Sequence, residues 1–130
     1  MRALLPRIDI WTSNGPEVLA FTGAADMAEA LIKLNQYLPA DTLRVVRDGP
    51  NGCWVGRANA LEPVPGFKVQ AVDSNGAGDA HAGVFIAGLA NGLKPLDAAC
   101  RANAAAALAV TRWGPATAPD AAEVDAFLAG

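Results

Sequence analysis

Apolar and polar positions change their spacing several times along this chain, and each change marks a predicted element. From Arg7 to Thr12 (RIDIWT) they alternate, which predicts a short strand. Asn14-Gly15-Pro16-Glu17 reads as a turn, with Pro16 suited to the first position of a short helix through Leu19 and Ala20 that Gly23 breaks. Between Ala25 and Leu38, Met27, Ala30, Leu31 and Leu34 share one face, an amphipathic helix ended by Pro39. The apolar run Leu43 to Val46 reads as a buried strand. Asp48-Gly49-Pro50-Asn51-Gly52 then turns the chain into a second strand, Cys53 to Arg57, and the pair reads as a hairpin.

Pro63, Pro65 and Gly66 predict a loop leading into a further strand, Lys68 to Val72. Helical spacing follows from about Gly78 to Ala90 and stops at Asn91-Gly92. Pro95 opens an alanine-rich helix running to about Thr111, which Trp113-Gly114-Pro115 closes. A last helix, about Ala121 to Leu128, carries Val124, Phe127 and Leu128 on one side. Strands alternating with helices imply an α/β sheet covered by helices. No repeat and no linker interrupts the pattern, so residues 1–130 read as a single domain.

Composition narrows the function. A chain of 130 residues with 52% hydrophobic and 18% charged residues suits one compact domain with a real core. The formal net charge is -3 and no dense Lys/Arg stripe occurs, so nucleic acid and anionic membrane are poor partners. An anionic nucleotide is still allowed, because backbone amides can hold phosphate without a basic surface. Cys53 and Cys100 have no metal-ligand spacing and read as buried thiols in a reducing cytoplasm. His81 is the only histidine, which leaves little for a His-based zinc site or a Ser-His-Asp triad. No signal peptide or membrane-length apolar run is evident.

The chemistry concentrates in Asp73-Ser74-Asn75-Gly76-Ala77-Gly78-Asp79, at a predicted strand-to-helix junction. Glycines there let backbone N–H groups crowd around an anion, and the following helix adds its positive end. The acid closing the loop can then face a hydroxyl. An amide cradle beside a carboxylate that can accept a proton is the minimum equipment for phosphoryl transfer to an alcohol. A tight turn with Asp79 merely capping the helix is the plainer reading of the same residues.

Other segments agree with the first reading. The chain resembles the C-terminal, nucleotide-binding half of the ribokinase-like carbohydrate kinases, the PfkB family, whose signature runs D-T-x-G-A-G-D. VDSNGAGDAHAGVFIAGLANG and ANAAAALAVTRWGP carry most of the match, which extends from about Ile8 to the C-terminus. The resemblance implies a ribokinase-like (Rossmann-like) partial sheet, incomplete relative to the full family domain. It leaves the family's N-terminal half, with most sugar contacts and the lid, without a counterpart.

The resemblance also implies roles. Asp79 would be the base that takes the proton of the acceptor hydroxyl, and the amides around Gly76, Ala77 and Gly78 the anion hole for the transferring phosphoryl group. Asn14 and Glu17 match an N-x-x-E motif whose Glu helps organise Mg²⁺ through water. Asn75, Gly49 and Gly52 fall where the family approaches the nucleotide, and Asn103 on the helix lining its adenine pocket; for Ala102 and Ala104 to Ala106, close helix packing explains their smallness equally well. Asp73 and the carbonyls near Ala109, Arg112 and Gly114 match a K⁺ site of some members, although Asn75 departs from the frequent Thr. His81 stands where many relatives have Phe and reads as a packed, hydrogen-bonded side chain.

The expected activity is therefore ATP-dependent transfer of a γ-phosphate to a hydroxyl of a sugar or sugar-like alcohol. A nucleoside kinase is the near rival. A non-catalytic nucleotide-binding fragment, completed by a second copy or by a separate N-terminal half, is the alternative from another class. A Rossmann oxidoreductase is disfavoured, since no G-x-G-x-x-G follows an early strand.

Overall fold

The computed structural model describes residues 9–72, 76–112 and 119–130. In chain order the elements are β1 (Ile10–Asn14), α1 (Gly15–Thr22), α2 (Met27–Lys33), β2 (Leu43–Arg47), β3 (Gly52–Arg57), β4 (Glu62–Pro65), α3 (Ala77–Ala90), α4 (Pro95–Val110) and α5 (Ala121–Ala129). The strands form one sheet in the order β1-β2-β3-β4. β1 pairs with β2 in parallel, Ile10 opposite Leu43 and Asn14 opposite Arg47. β2 pairs with β3 antiparallel, Arg47 opposite Cys53, as the turn chemistry of the hairpin predicts. The mixed α/β class is the one the sequence implies.

The chain divides into two compact units, one running to Gly49 with Cys53–Pro63, the other formed by Pro50–Gly52 with Val64–Gly130. In the first, a parallel pair requires a crossover, and α1 and α2 supply it. Val18, Ala30, Leu31, Leu34 and Leu38 pack with Val46 of β2 into a buried cluster, against which Trp11, Phe21 and Tyr37 stack at the margin. α2 is shorter than the helix expected from Ala25 to Leu38. Asp26 caps it by accepting the Glu29 N–H, and after Lys33 the chain tightens into a 3₁₀ turn at Leu34–Gln36. Arg44, on β2, is wholly buried. One of its nitrogens donates to the Leu38 and Pro39 carbonyls at the end of that helical segment, while Nε and Nη1 have no hydrogen-bond partner among the described residues.

In the second unit α3 and α4 pack along their length and α4 packs on α5. Alanines make this possible: Ala98, Ala99, Ala102, Ala104 and Ala105 are fully buried. At Gly88 the helices approach so closely that an added Cβ would lie 3.1 Å from that of Ala98. Ala104, Ala105 and Val124 form a second cluster, bordered by Phe67 stacked edge-on against Phe127.

Two predicted boundaries are corrected. No strand forms from Lys68 to Val72, where most side chains are exposed; the Val72 N–H instead caps the Val110 carbonyl at the end of α4, at 2.6 Å. The strand forms earlier, at Glu62–Pro65, where Pro63, Pro65 and Gly66 predict a loop. β4 is the last strand of the sheet, where Pro63 and Pro65 need no ladder partner for the N–H they lack, and Val64 between them is buried. The first strand begins at Ile10 and reaches Asn14, later than expected; Arg7 and Ile8 lie outside the described residues.

Candidate active site

Four helix starts show what is unusual about the fifth. α1, α2 and α5 begin with a side chain folded over the first-turn amides: Asn14, Asp26 and Asp120 each accept the N–H three residues on, at 2.8–2.9 Å. α4 begins with Pro95, which has no N–H to satisfy. α3 is capped by Gly76, with φ 83 and ψ -10, and among the described residues no side chain caps it. Only glycine adopts that left-handed geometry without cost, and it has no side chain to lay over the amides that follow. The N-terminus of a fourteen-residue helix carries partial positive charge, which suits an anion.

Asp79 is exposed in the first turn of α3. It does not cap the helix, because Gly76 holds that position and the Ala80 N–H closes the first turn onto the Gly76 carbonyl at 2.9 Å. Gly78 differs from Gly76 in having helical backbone geometry. Asp73, Asn75 and Gly114 lie outside the described residues.

In the first unit, β1 and β2 end side by side at Asn14 and Arg47. Ligands of open α/β sheets bind beyond the carboxyl ends of parallel strands. Asn14 and Glu17 form a reciprocal capping box: the Asn14 N–H donates to Glu17 Oε1 at 2.9 Å, and the Glu17 N–H donates back to Asn14 Oδ1 at 2.8 Å. Arg47 Nη2 stands 3.7 Å from the same Glu17 oxygen, and Nη1 reaches Thr12 Oγ1 at 3.5 Å. The Glu17 side chain remains 62% exposed. An anchored but solvated carboxylate suits a cation that keeps most of its water. Among the described residues no three His, Cys, Asp or Glu side chains converge as a complete metal site. Gly49 turns the hairpin with φ 56.

In the second unit Gly52 and Asn103 meet at one peptide. Gly52 has φ 102, and a Cβ there would run into the Val64 carbonyl and the Gly66 amide. Asn103, on α4, is 4% exposed. Its Nδ2 donates to the Val64 carbonyl at 3.0 Å and the Pro65 carbonyl at 3.1 Å, and its Oδ1 lies 2.8 Å from His81 Nε2. His81 is packed and hydrogen-bonded, as the sequence suggests. Its partner could not be foreseen, because the two residues lie on different helices and no local pattern joins them. The Arg47–Glu17 contact escapes a linear reading for the same reason.

Neither of two surface cavities holds the predicted residues. One of about 700 Å³ is lined by Asp26, Met27, Leu31, Asp48 and Trp54 in the first unit. Another of about 310 Å³ is lined by Val84, Gly88, Leu93, Arg101 and Val124 in the second. No helix among the described residues is long and apolar enough to cross a membrane.

Comparison with known proteins bears on this geometry. Residues 1–122 match the profile described as pfkB family carbohydrate kinase. The chain is 32% identical over 117 residues to the cytidine kinase of Thermococcus kodakarensis, covering 88% of this chain and 41% of that protein. The crystal structure of a ribokinase from Thermotoga maritima superposes with a TM-score of 0.88 at 31% identity, over 100% of this chain and 45% of the ribokinase. The fructokinase of Vibrio cholerae, solved with fructose, ADP and calcium, superposes with a TM-score of 0.84 at 32% identity, over 92% of this chain and 41% of the fructokinase. The chain spans less than half the length of the relatives it matches.

Proposed function

The chain belongs to the pfkB family of carbohydrate kinases, and from that premise we propose that it carries the nucleotide half of an ATP-dependent sugar kinase. The observation behind this reading is the start of α3: a fourteen-residue helix opened by a left-handed glycine, with an exposed carboxylate in its first turn. In the proposed step an acceptor hydroxyl oxygen bonds to the γ-phosphorus of ATP and its proton passes to Asp79. The bond to the β-phosphate oxygen breaks and ADP leaves. The amides of Gly76, Ala77 and Gly78, with that of Asp79, stabilise the charge on the phosphoryl oxygens. In the first unit Glu17 is the residue suited to hold hydrated Mg²⁺, which when bound neutralises phosphate charge. Asn14, Gly49, Gly52 and Asn75 are assigned to the nucleotide, and Asp73 to a K⁺ ion that steadies the loop; Asn103, whose amide is used within the second unit, serves the nucleotide through the backbone it holds.

Calorimetry of MgATP binding to the chain, with Gly78→Trp as control, tests the reading. Because Gly78 has helical geometry, a tryptophan there does not oppose the backbone, and its bulk is expected to block phosphate. Saturable binding abolished by the plug is expected; equal binding by both proteins would refute the site. The similarity to a cytidine kinase favours one second reading, a nucleoside as acceptor. Turnover with cytidine in preference to ribose or fructose would select it, and nucleotide binding without turnover on any acceptor would mark the chain as a fragment needing its other half.

A further inference from the structure

We propose that His81 and Asn103 are positioning residues that tie the glycine turn at Pro50–Gly52 to the start of α3, so that these two backbone segments move as one body. The connection can be followed atom by atom within the second unit. The Gly66 N–H donates to the Asn51 carbonyl at 3.1 Å, and Gly52 lies against Val64 so closely that no Cβ fits. The carbonyls of Val64 and Pro65 take both hydrogens of the Asn103 amide. The Asn103 oxygen faces His81, in the second turn of the helix that Gly76 opens. Turning the amide over would set its oxygen against two carbonyl oxygens, so its orientation is determined. The oxygen can only accept, and His81 Nε2 must therefore carry the hydrogen. Both side chains are at least nine-tenths buried, where a broken bond leaves polar atoms away from water.

A packing role alone would be served by any side chain of imidazole size. A role in coupling needs a donor at Nε2, and that requirement can be read directly. That the coupled segments hold a nucleotide rests on the reading proposed above; the coupling itself does not.

Because His81 is the only histidine, a long-range ¹H–¹⁵N spectrum of the wild-type chain reports it without ambiguity. Nε2 is expected to be protonated; an unprotonated Nε2 would overturn the proposal without any variant. Amide exchange then tests the coupling. In His81→Leu the N–H of Gly66 and that of Ala80 should both exchange about tenfold faster or more, while that of Val124 in α5 is unchanged. His81→Gln, which offers an amide donor, should restore both. Faster exchange confined to α3, or no recovery with Gln, would reduce His81 to packing and sink the coupling. MgATP affinity should fall and recover across the same variants. Should the wild type show the protonated Nε2 and the paired exchange but bind no MgATP, the coupling stands and the nucleotide reading fails.

Discussion

Gly76 and Gly78 sit two positions apart yet answer to different physics. Gly76 needs its left-handed backbone, so Gly76→Val should destabilise the chain by about 1–2 kcal/mol, read by urea unfolding. Gly78 is helical, so its replacement avoids that backbone cost and its expected effect is on ligand binding. Asp79 is exposed, and Asp79→Ala is expected to leave the fold and MgATP affinity intact while lowering kcat by about 10²–10⁴-fold in an active preparation. Retained turnover would remove Asp79 from the base role. Arg44 gives the opposite kind of prediction. Burial holds its guanidinium below the usual arginine range, and two of its nitrogens have no acceptor among the described residues. Removing the cation orphans little, because the Pro39 carbonyl still accepts from the Thr42 N–H. Arg44→Met should be neutral or stabilising by up to about 1–4 kcal/mol; a clear fall in the urea midpoint would show that its two carbonyl bonds outweigh its desolvation.

At the scale of elements, caps and proline positions explain most boundaries. The Asp120 capping box starts α5 as Asn14 starts α1, and both are visible as a polar residue followed three positions later by Glu. Hydrogen bonding from Arg112, and then from the Asp120 N–H, holds the Glu123 carboxyl below its ordinary 4.5. A carboxyl with a lowered folded value stabilises above its unfolded value and loses that stabilisation as pH falls through the folded one. The first turn of α5 should therefore loosen below about pH 4.5, seen as amide shift changes at Glu123 and Val124 ahead of those in α4. β4 is the element that linear reading placed wrongly. Its two prolines are turn signals by composition, and only the edge of a sheet makes them compatible with a strand. Among the described residues no strand includes the apolar alternation at Lys68–Val72, and most of its side chains are exposed.

For the molecule as a whole, the proposed function predicts linkage between ligand and stability. MgATP at about 100 times its Kd should add about 2.7 kcal/mol to the stability of the unit that binds it. The increment should vanish in Gly78→Trp, and thermal unfolding followed against nucleotide concentration measures it. The chain itself determined what depends on near neighbours: the helices at Pro95 and Ala121, the hairpin around Asp48–Gly52, and the glycine-rich start of α3. Hydrophobic period, capping and positive-φ glycine act over a few residues, so they can be read in a line. Tertiary structure decided what depends on distant partners. It chose the strand at Glu62–Pro65 over the one at Lys68–Val72, buried Arg44 at the end of a helical segment, and set His81 against Asn103. Those outcomes turn on which polar groups are denied water and which acceptors then lie within reach, and packing alone specifies both.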